Sequence, residues 1–519
     1  MFHFGFSYVG LIYLFMLFIP NFFWTKYQPK DYEKYVQNEN KFLQILERIG
    51  EVLVCCFVLI FSDFNIGFDS IWFICLPLSF CLMLLYEVYW IRYFKSEKTM
   101  SDFYRSLCMI PVAGATLPVF AFFLLGIYGS NIFLIIATLI LGIGHIGIHW
   151  NHYKEISESR KKKNILLRIV QGLIIFICIY HFMPIVIVIG CRNISHIKML
   201  MNTYKGVNEE AYVTLGGQEQ YLLIQGADIN NPVIIWLHGG PATPDAYMNY
   251  IFQRYLVSEY TIINWDQRGC GRTFYHNISN ASQKYSVTPQ QAQIDIDELV
   301  DYVCNRFDKD KVIIVGHSYG TLLGSQYVLN HPDKVAAYVG IGQTVSSESE
   351  IYSYEDALTK AIANGDDTSE MERAYRLYKQ NRTSVNRMIL REYIEKYHEL
   401  ENVIVIEANS LPYFEYDDMR WKTEFQFDSY HYSVNQKLFE HQQMIDVRDF
   451  GLEYQIPVGF ISGAEDWVTP TQHSKDYCAL IDAPKKQFVT LEGCGHSPQY
   501  DSPKEFCDEL DSMLDAFLE

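Results

Sequence analysis

A chain of 519 residues is long enough for more than one domain, and its charge is divided unevenly along its length. Residues 1–191 carry 15 Lys and Arg against 12 Asp and Glu, whereas residues 192–519 carry 27 against 48. This acidic second part excludes nucleic acid as an expected partner, because binding to phosphates needs positive charge. The 12 cysteines lack Cys-x-x-Cys spacing, so the sequence predicts no zinc ribbon.

Six apolar segments of about 20 residues each predict a six-helix transmembrane domain over residues 1–191, followed by a juxtamembrane linker over 192–206. A buried core helix would explain one such segment. Six in succession, with Trp and Tyr near their ends, favour a membrane. The segments are Phe4–Trp24, Gly50–Phe68, Ser70–Trp90, Cys108–Tyr128, Asn131–Trp150 and Leu166–Gly190.

The charges between these segments predict their orientation. Basic residues follow the first, third and fifth segments, at Lys26–Arg48, Arg92–Arg105 and Lys154–Arg168, whereas the second and fourth links carry none. Lys and Arg are enriched in cytoplasmic loops. We therefore expect a multi-pass protein of the cell membrane, with its N-terminus and, after six crossings, its C-terminal domain on the extracytoplasmic side.

Three histidines lie on one face of the fifth segment. His145, His149 and His152 are spaced i, i+4 and i+7, which places them together on a helix. One interpretation is a metal or proton site near the cytoplasmic end, because imidazole binds transition metals. The other, which we favour, is a set of interfacial histidines that hydrogen-bond between helices, with no metal.

Segments typical of strands and helices alternate over residues 207–342. This alternation predicts an α/β fold with a doubly wound, mostly parallel sheet, of which these residues form the first part. A helix is expected over Thr288–Phe307, where Pro289 suits the first turn. The predicted strands are Ala211–Leu215, Tyr221–Gln225, Pro232–Leu237, Tyr260–Trp265, Val312–Val315 and Ala336–Ile341.

The alternation stops over residues 343–454, which are rich in Glu, Tyr, Arg and Asn. We interpret them as an inserted helical lid, because structureless connections of this length are rare. The core resumes over residues 455–519. There the sequence predicts strands at Val458–Ile461 and Gln487–Leu491, and a final helix at Pro503–Leu518.

A Gly-x-Ser-x-Gly motif at Gly316–Gly320 joins a predicted buried strand to a predicted helix. Such a turn lifts Ser318 to an exposed apex, and it needs glycines where strand and helix pass closely. A serine nucleophile requires a base, and the base requires a carboxylate to orient it. His496 and Asp466 follow later strands in the expected chain order. We predict these three as the catalytic residues, with Glu465 as the alternative acid.

A His-Gly-Gly-Pro stretch follows the strand that is expected to end beside this turn. Acyl transfer needs backbone donors aimed at the oxyanion of the tetrahedral intermediate. We predict the N–H groups of Gly240 and Tyr319 as these donors. His238 and Gly239 are expected to support the loop.

Five stretches together resemble the proline iminopeptidase branch of the α/β-hydrolases, a group of serine aminopeptidases. They are His238–Pro241, Asp266–Thr273, Gly316–Gly320, Gly463–Asp466 and Gly495–His496. The resemblance implies an α/β-hydrolase with an inserted lid that removes N-terminal residues, often proline, from peptides without a cofactor. It also implies that Asp266 and Arg268 brace the loop beside the active site.

The sequence departs from that family in two places. Ala242 stands where the family's motif ends in Gly, and Thr273 stands where it has Ser. In the family, carboxylates of the lid hold the free amine of the substrate, but no lid stretch of this chain matches. Five lid glutamates are available for that role, and we take the first two as candidates although the sequence does not select among them: Glu348, Glu350, Glu355, Glu370 and Glu372.

Three functions compete at this point. The first is a membrane-anchored aminopeptidase acting on peptides outside the cytoplasm. The second is an esterase or lipase acting on lipid or acylated small molecules, which the bilayer and an aromatic-rich lid permit. The third is a sensor or transporter that uses the hydrolase domain only for binding, although binding alone needs no catalytic set. The expected partners are a peptide or small acyl substrate and the lipid bilayer.

Overall fold

The computed structural model describes residues 2–519 except 31, 37–38, 69, 109, 159–164, 280–285, 399–406 and 408. The chain forms two compact units, Met1–His196 and Ile197–Glu519. The basic residues at 160–163 and part of the expected lid, 399–406 and 408, lie outside the described residues.

The described residues of the first unit form six long helices, the last of which continues beyond His196 to Asn202. Four of the helices described are long and apolar enough to cross a membrane: α1, α3, α5 over Ile132–Ile156 and α6 over Phe176–Asn202. Helix α4 is apolar but has only 16 residues. The bounds are α1 Tyr8–Lys26, α2 Lys41–Ile60, α3 Cys75–Phe94, α4 Ala113–Tyr128, α5 Ile132–Glu158 and α6 Ile165–Asn202.

Helix α2 differs from the predicted second segment. It begins at Lys41 rather than near Gly50 and ends at Ile60, and its first half carries charged residues. The Asn40 side chain fixes this start by accepting a hydrogen bond from the N–H of Phe42 at 2.9 Å. Hydropathy alone predicts a start near Gly50, because it leaves out the charged residues of the first turns, which are helical as well.

Helices α2 and α5 pack unusually closely through glycine. A Cβ atom on Gly144 would lie 2.3 Å from the backbone nitrogen of Glu47, and one on Gly50 would lie 2.5 Å from the Cα of Leu141. Small residues let helix backbones approach in this way. The approach brings Glu47 of α2 to the histidines of α5.

In the part of the second unit that the structure describes, the strands form one eight-stranded sheet with the order β1-β2-β4-β3-β5-β6-β7-β8. Strands β1 and β2 run antiparallel to their neighbours, and β3 to β8 are parallel. The doubly wound, mostly parallel sheet is confirmed, and every predicted strand is present. The bounds are β1 Val207–Leu215, β2 Gln218–Gly226, β3 Val233–Leu237, β4 Thr261–Trp265, β5 Val312–His317, β6 Val335–Ile341, β7 Val458–Gly463 and β8 Lys486–Leu491.

Helices α7 (Pro289–Phe307) and α8 (Tyr319–Asn330) cover strands of this sheet. Thr288 caps α7 by accepting a hydrogen bond from the N–H of Gln291 at 3.1 Å. Apolar side chains of both helices, including Leu299 and Leu322, are buried in one core with the strands. This core fixes the carboxyl ends of β5, β7 and β8, from which the candidate site is built.

Between β6 and β7 the described residues are mainly helical, within the expected lid over residues 343–454. Helices α9, α10 and α11 enclose a small apolar cluster of their own, which includes Ala357, Met371 and Leu390. Helices α12 and α13 contribute Trp421 and Leu438 to the core of the sheet instead. The bounds are α9 Ser349–Asn364, α10 Ser369–Gln380, α11 Ser384–Ile394, α12 Tyr416–Phe427 and α13 Ser429–Met444; α14 Thr471–Leu480 and α15 Pro503–Leu518 follow the lid.

Candidate active site

Ser318 is the single residue between β5 and α8. Its backbone angles are φ 52° and ψ −118°, a region that costs on the order of 1–3 kcal/mol for a residue with a side chain. A Cβ atom on Gly316 would lie 2.6 Å from the carbonyl oxygen of Gly320, and one on Gly320 would lie 2.1 Å from that of Leu237. The motif's two glycines are therefore required by this strained turn, which presents the serine hydroxyl.

The structure brings Ser318, His496 and Asp466 together at hydrogen-bond distance. His496 Nε2 lies 2.9 Å from Ser318 Oγ, and His496 Nδ1 lies 3.0 Å from Asp466 Oδ2. Asp466 follows β7 and His496 follows β8, so adjacent strands position the acid and the base. This order of contacts links a nucleophile to a base and the base to an orienting carboxylate. Such an arrangement can carry out acyl transfer.

The Asp466 carboxylate is held by more than the histidine. The N–H groups of Val468 and Thr469 each donate to Oδ1 at 2.9 Å, and Thr469 Oγ1 donates to Oδ2 at 2.8 Å. Burial alone would raise the pKa of Asp466, but His496 and these hydrogen bonds outweigh it and keep that pKa below its usual value. The alternative acid, Glu465, is 52% exposed and lies 3.6 Å from Lys360.

Sequence reasoning missed His317, which braces the base. Its Nε2–H donates to the carbonyl oxygen of His496 at 3.1 Å. Burial is the main cause that lowers the pKa of His317 to about 3, so the ring is neutral at physiological pH. The only available signal was its place inside the Gly-x-Ser-x-Gly motif, because the contact joins residues 179 positions apart.

The predicted oxyanion donors flank the serine. Gly240 lines the same cavity as Ser318, and Tyr319 is the first residue of α8, where N–H groups have no acceptor within the helix. A Cβ atom on Gly239 would lie 3.0 Å from Ser318 Cβ, so this loop touches the turn. Ala242, which replaces the family's Gly, has a positive φ of 63°, where glycine is free of strain.

The predicted support residues are buried beneath this loop. His238 Nε2 accepts a hydrogen bond from the N–H of Gln267 at 3.3 Å, and burial lowers the pKa of His238 to about 4. Arg268 makes a two-bond contact with Asp295, at 2.7 and 2.8 Å. Asp266 accepts from a backbone N–H at 2.9 Å, and burial followed by repulsion from another carboxylate raises its pKa to about 7. These contacts are structural.

The candidate amine-binding glutamates do not face the cavity. Glu350 is buried and bonded to Arg387 at 2.6 Å and to Arg391 at 2.5 Å. Glu348 accepts from Arg448 at 2.7 Å. Neither lines the cavity of about 250 Å³ that opens at Ser318. The expectation that they hold the substrate's amine finds no support in these contacts, because arginines already occupy both carboxylates.

His145, His149 and His152 of α5 form hydrogen bonds with side chains of other segments. His145 Nδ1 lies 2.5 Å from Glu47 Oε1, and the hydroxyl of Tyr104 lies 2.8 Å from His149 and 3.0 Å from His152. Ligand atoms of Glu47, His145 and His149 lie within 4.8 Å of one another.

Comparisons with known proteins agree with this fold. Residues 232–503 match the family model described as alpha/beta hydrolase fold. The probable aminopeptidase YbaC of Bacillus subtilis is 26% identical over 317 residues, which cover 57% of this chain and 93% of that protein. A proline iminopeptidase of Lactobacillus delbrueckii subsp. bulgaricus is 22% identical over 295 residues, which cover 56% and 92%.

A crystal structure of proline iminopeptidase from Mycobacterium smegmatis aligns with a TM-score of 0.44 and 17% identity. The alignment covers 60% of this chain and 98% of that one. The match to the family model spans just over half of the present sequence. It includes the strands that precede Ser318 and Asp466. This chain therefore belongs to the alpha/beta hydrolase fold family.

Proposed function

We propose that the protein is a membrane-anchored serine aminopeptidase of the proline iminopeptidase type, which removes N-terminal residues from peptides outside the cytoplasm. The observation that carries the proposal is the chain of contacts from Ser318 Oγ through His496 to Asp466. The aminopeptidase and proline iminopeptidase names of the similar proteins support the substrate class.

The proposed reaction follows from these positions. His496 Nε2 takes the proton of Ser318 as Oγ attacks the carbonyl carbon of the scissile amide. The N–H groups of Gly240 and Tyr319 bind the resulting oxyanion, and Asp466 stabilises the imidazolium. His496 then protonates the departing amine, and a water molecule activated by the same ring hydrolyses the acyl-enzyme.

We expect purified protein to hydrolyse aminoacyl-naphthylamides, with the prolyl compound among those turned over. N-acetylated versions of the same amides are the matched control, since an aminopeptidase must recognise a free amine. A panel of p-nitrophenyl esters is measured in parallel. Ester turnover without amide turnover would reject the aminopeptidase and favour an esterase or lipase.

One observation favours the esterase or lipase as a second candidate. None of the described residues lining the cavity is acidic, so none of them offers a carboxylate to the free amine of a peptide.

We further infer that all six helices of the first unit span the membrane and that the hydrolase unit lies outside. The positive loops support this, as do the four helices of sufficient length. A membrane-impermeant fluorophosphonate should label Ser318 equally in intact and in lysed cells that express the protein. A cytoplasmic serine hydrolase is the control for leakage. Labelling of the present protein only after lysis would place the unit in the cytoplasm.

A further inference from the structure

Three arginines of the lid line the cavity at Ser318. They are Arg382, in the turn before α11, and Arg387 and Arg391 of α11 itself. The spacing of i and i+4 puts the last two on one face of the helix, where like charges repel each other. Their side chains are about three-quarters buried, at 25% and 24% exposed. Such an arrangement needs negative charge to offset it.

Among the described residues, Glu350 is the only carboxylate that pairs with these arginines, and its single charge does not neutralise them. Its side chain is 2% exposed and contacts Arg387 Nε at 2.6 Å and Arg391 Nε at 3.0 Å. Burial raises the pKa of Glu350, but the two arginines outweigh it and the net pKa is lowered, so the carboxylate is charged. The one negative charge of Glu350 against the two positive charges of Arg387 and Arg391 leaves one net positive charge on this wall of the cavity. Arg382 adds a second, because its contact is the neutral hydroxyl of Ser347 at 2.8 Å.

The positive wall is fixed relative to the catalytic residues. The guanidinium of Arg391 lies 5.6 Å from the centroid of the Trp467 ring, and its Nη2 lies 3.5 Å from the carbonyl oxygen of Val468. Both residues directly follow Asp466 in the chain. A group bound on Arg391 is therefore held by the same loop that orients the catalytic base.

The rest of the lining supplies neutral donors. Hydroxyl side chains of Ser346, Ser349, Thr383 and Tyr378 border the cavity, and no carboxylate of the described lining residues competes with a ligand. Guanidinium groups bind carboxylate and phosphate oxygens through paired, charge-assisted hydrogen bonds. The cavity thus has the chemistry of an anion site.

We propose that the cavity binds a carboxylate or phosphate group of the substrate on Arg382, Arg387 and Arg391, while Ser318 attacks the substrate's carbonyl carbon. This proposal rests on the proposed role of Ser318 as nucleophile. In a peptide the anion is a terminal or side-chain carboxylate, and in a phosphorylated acyl compound it is the phosphate. Both present the same anionic oxygens to the arginines.

Protection of Ser318 from a fluorophosphonate tests the site without knowledge of the substrate. Full-length protein is labelled in the presence of succinate, inorganic phosphate or the neutral succinamide, at constant ionic strength because salt screens charges. We expect at least one anion to slow labelling by about tenfold at concentrations where succinamide has no effect, given the strength of charge-assisted bonds. Protection by succinate alone identifies a carboxylate as the ligand, and protection by phosphate alone identifies a phosphate.

The variant Arg382→Gln should weaken this protection about tenfold, measured relative to the variant's own rate of labelling without anion. Arg382 is the best position for the test because Glu350 does not depend on it for a partner. Arg376→Gln is the matched control, since Arg376 of α10 is 62% exposed, pairs with Glu372 and does not line the cavity. Equal labelling with succinate, phosphate and succinamide would overturn the anion site and leave the serine hydrolase intact. Absence of labelling in wild type would overturn both proposals.

Discussion

Ser318→Ala is expected to lower kcat/KM by on the order of 10⁴-fold or more and to abolish fluorophosphonate labelling. Its hydroxyl lies 2.9 Å from His496 Nε2 and is the nucleophile of the proposed reaction. Initial rates on the best substrate of the panel measure the effect. Because the alanine methyl fits the same turn, circular dichroism and the melting temperature should stay close to those of wild type.

Ser258→Ala serves as the control for the serine variant. Ser258 is exposed and lies just before β4, away from the turn that carries Ser318. It should retain wild-type rates and labelling. Retention of more than a tenth of the activity by Ser318→Ala would show that another group is the nucleophile, and the proposed mechanism would then be wrong.

Asp466→Asn is expected to lower kcat by about 10⁴-fold with little change in KM. An asparagine amide turns a donor toward His496 Nδ1, which favours the tautomer that cannot accept the serine's proton. Burial raises the wild-type pKa of Asp466, but the charge of His496 and the hydrogen bonds from His496 and Thr469 outweigh it and keep the pKa low, so the carboxylate stays charged throughout the neutral range. The deficit of the variant should therefore persist across that range in a pH–rate profile.

Glu465→Gln is the matched control for the acid, because it changes the adjacent carboxylate in the same way. Glu465 is half-exposed and its nearest cation is Lys360 at 3.6 Å, so we expect rates within about twofold of wild type. A larger loss in Glu465→Gln than in Asp466→Asn would make Glu465 the orienting acid.

The strands of the sheet and the position of the turn could be read from local sequence. Val312–Val315 is a β-branched run that ends at a glycine, and such a run forms a central parallel strand wherever both faces are covered. The final helix, Pro503–Leu518, was predicted with the bounds that it has in the structure. Asp466 and His496 were located because each follows a strand, and the order of strands brings those turns together.

Contacts between distant parts of the chain could not be read in this way. Arg391 and Glu350 are 41 positions apart, and nothing in either segment indicates that one pairs with the other. Glutamates on lid helices looked available for a substrate amine, but tertiary packing buries Glu350 against arginine. The second apolar segment was misplaced for a related reason, since Lys41 and its neighbours join the helix although hydropathy excludes them.

The separate apolar cluster of α9, α10 and α11 has a consequence for how this protein can diversify. Ala357, Met371 and Leu390 pack with one another, whereas the helices that follow them share the core of the sheet. Substitutions in separate clusters act nearly additively on stability. The half of the lid that presents arginines to the substrate can therefore accept substitutions inside this cluster with little effect on the core of the sheet, whereas a change at Arg391 also acts on the loop that carries Asp466.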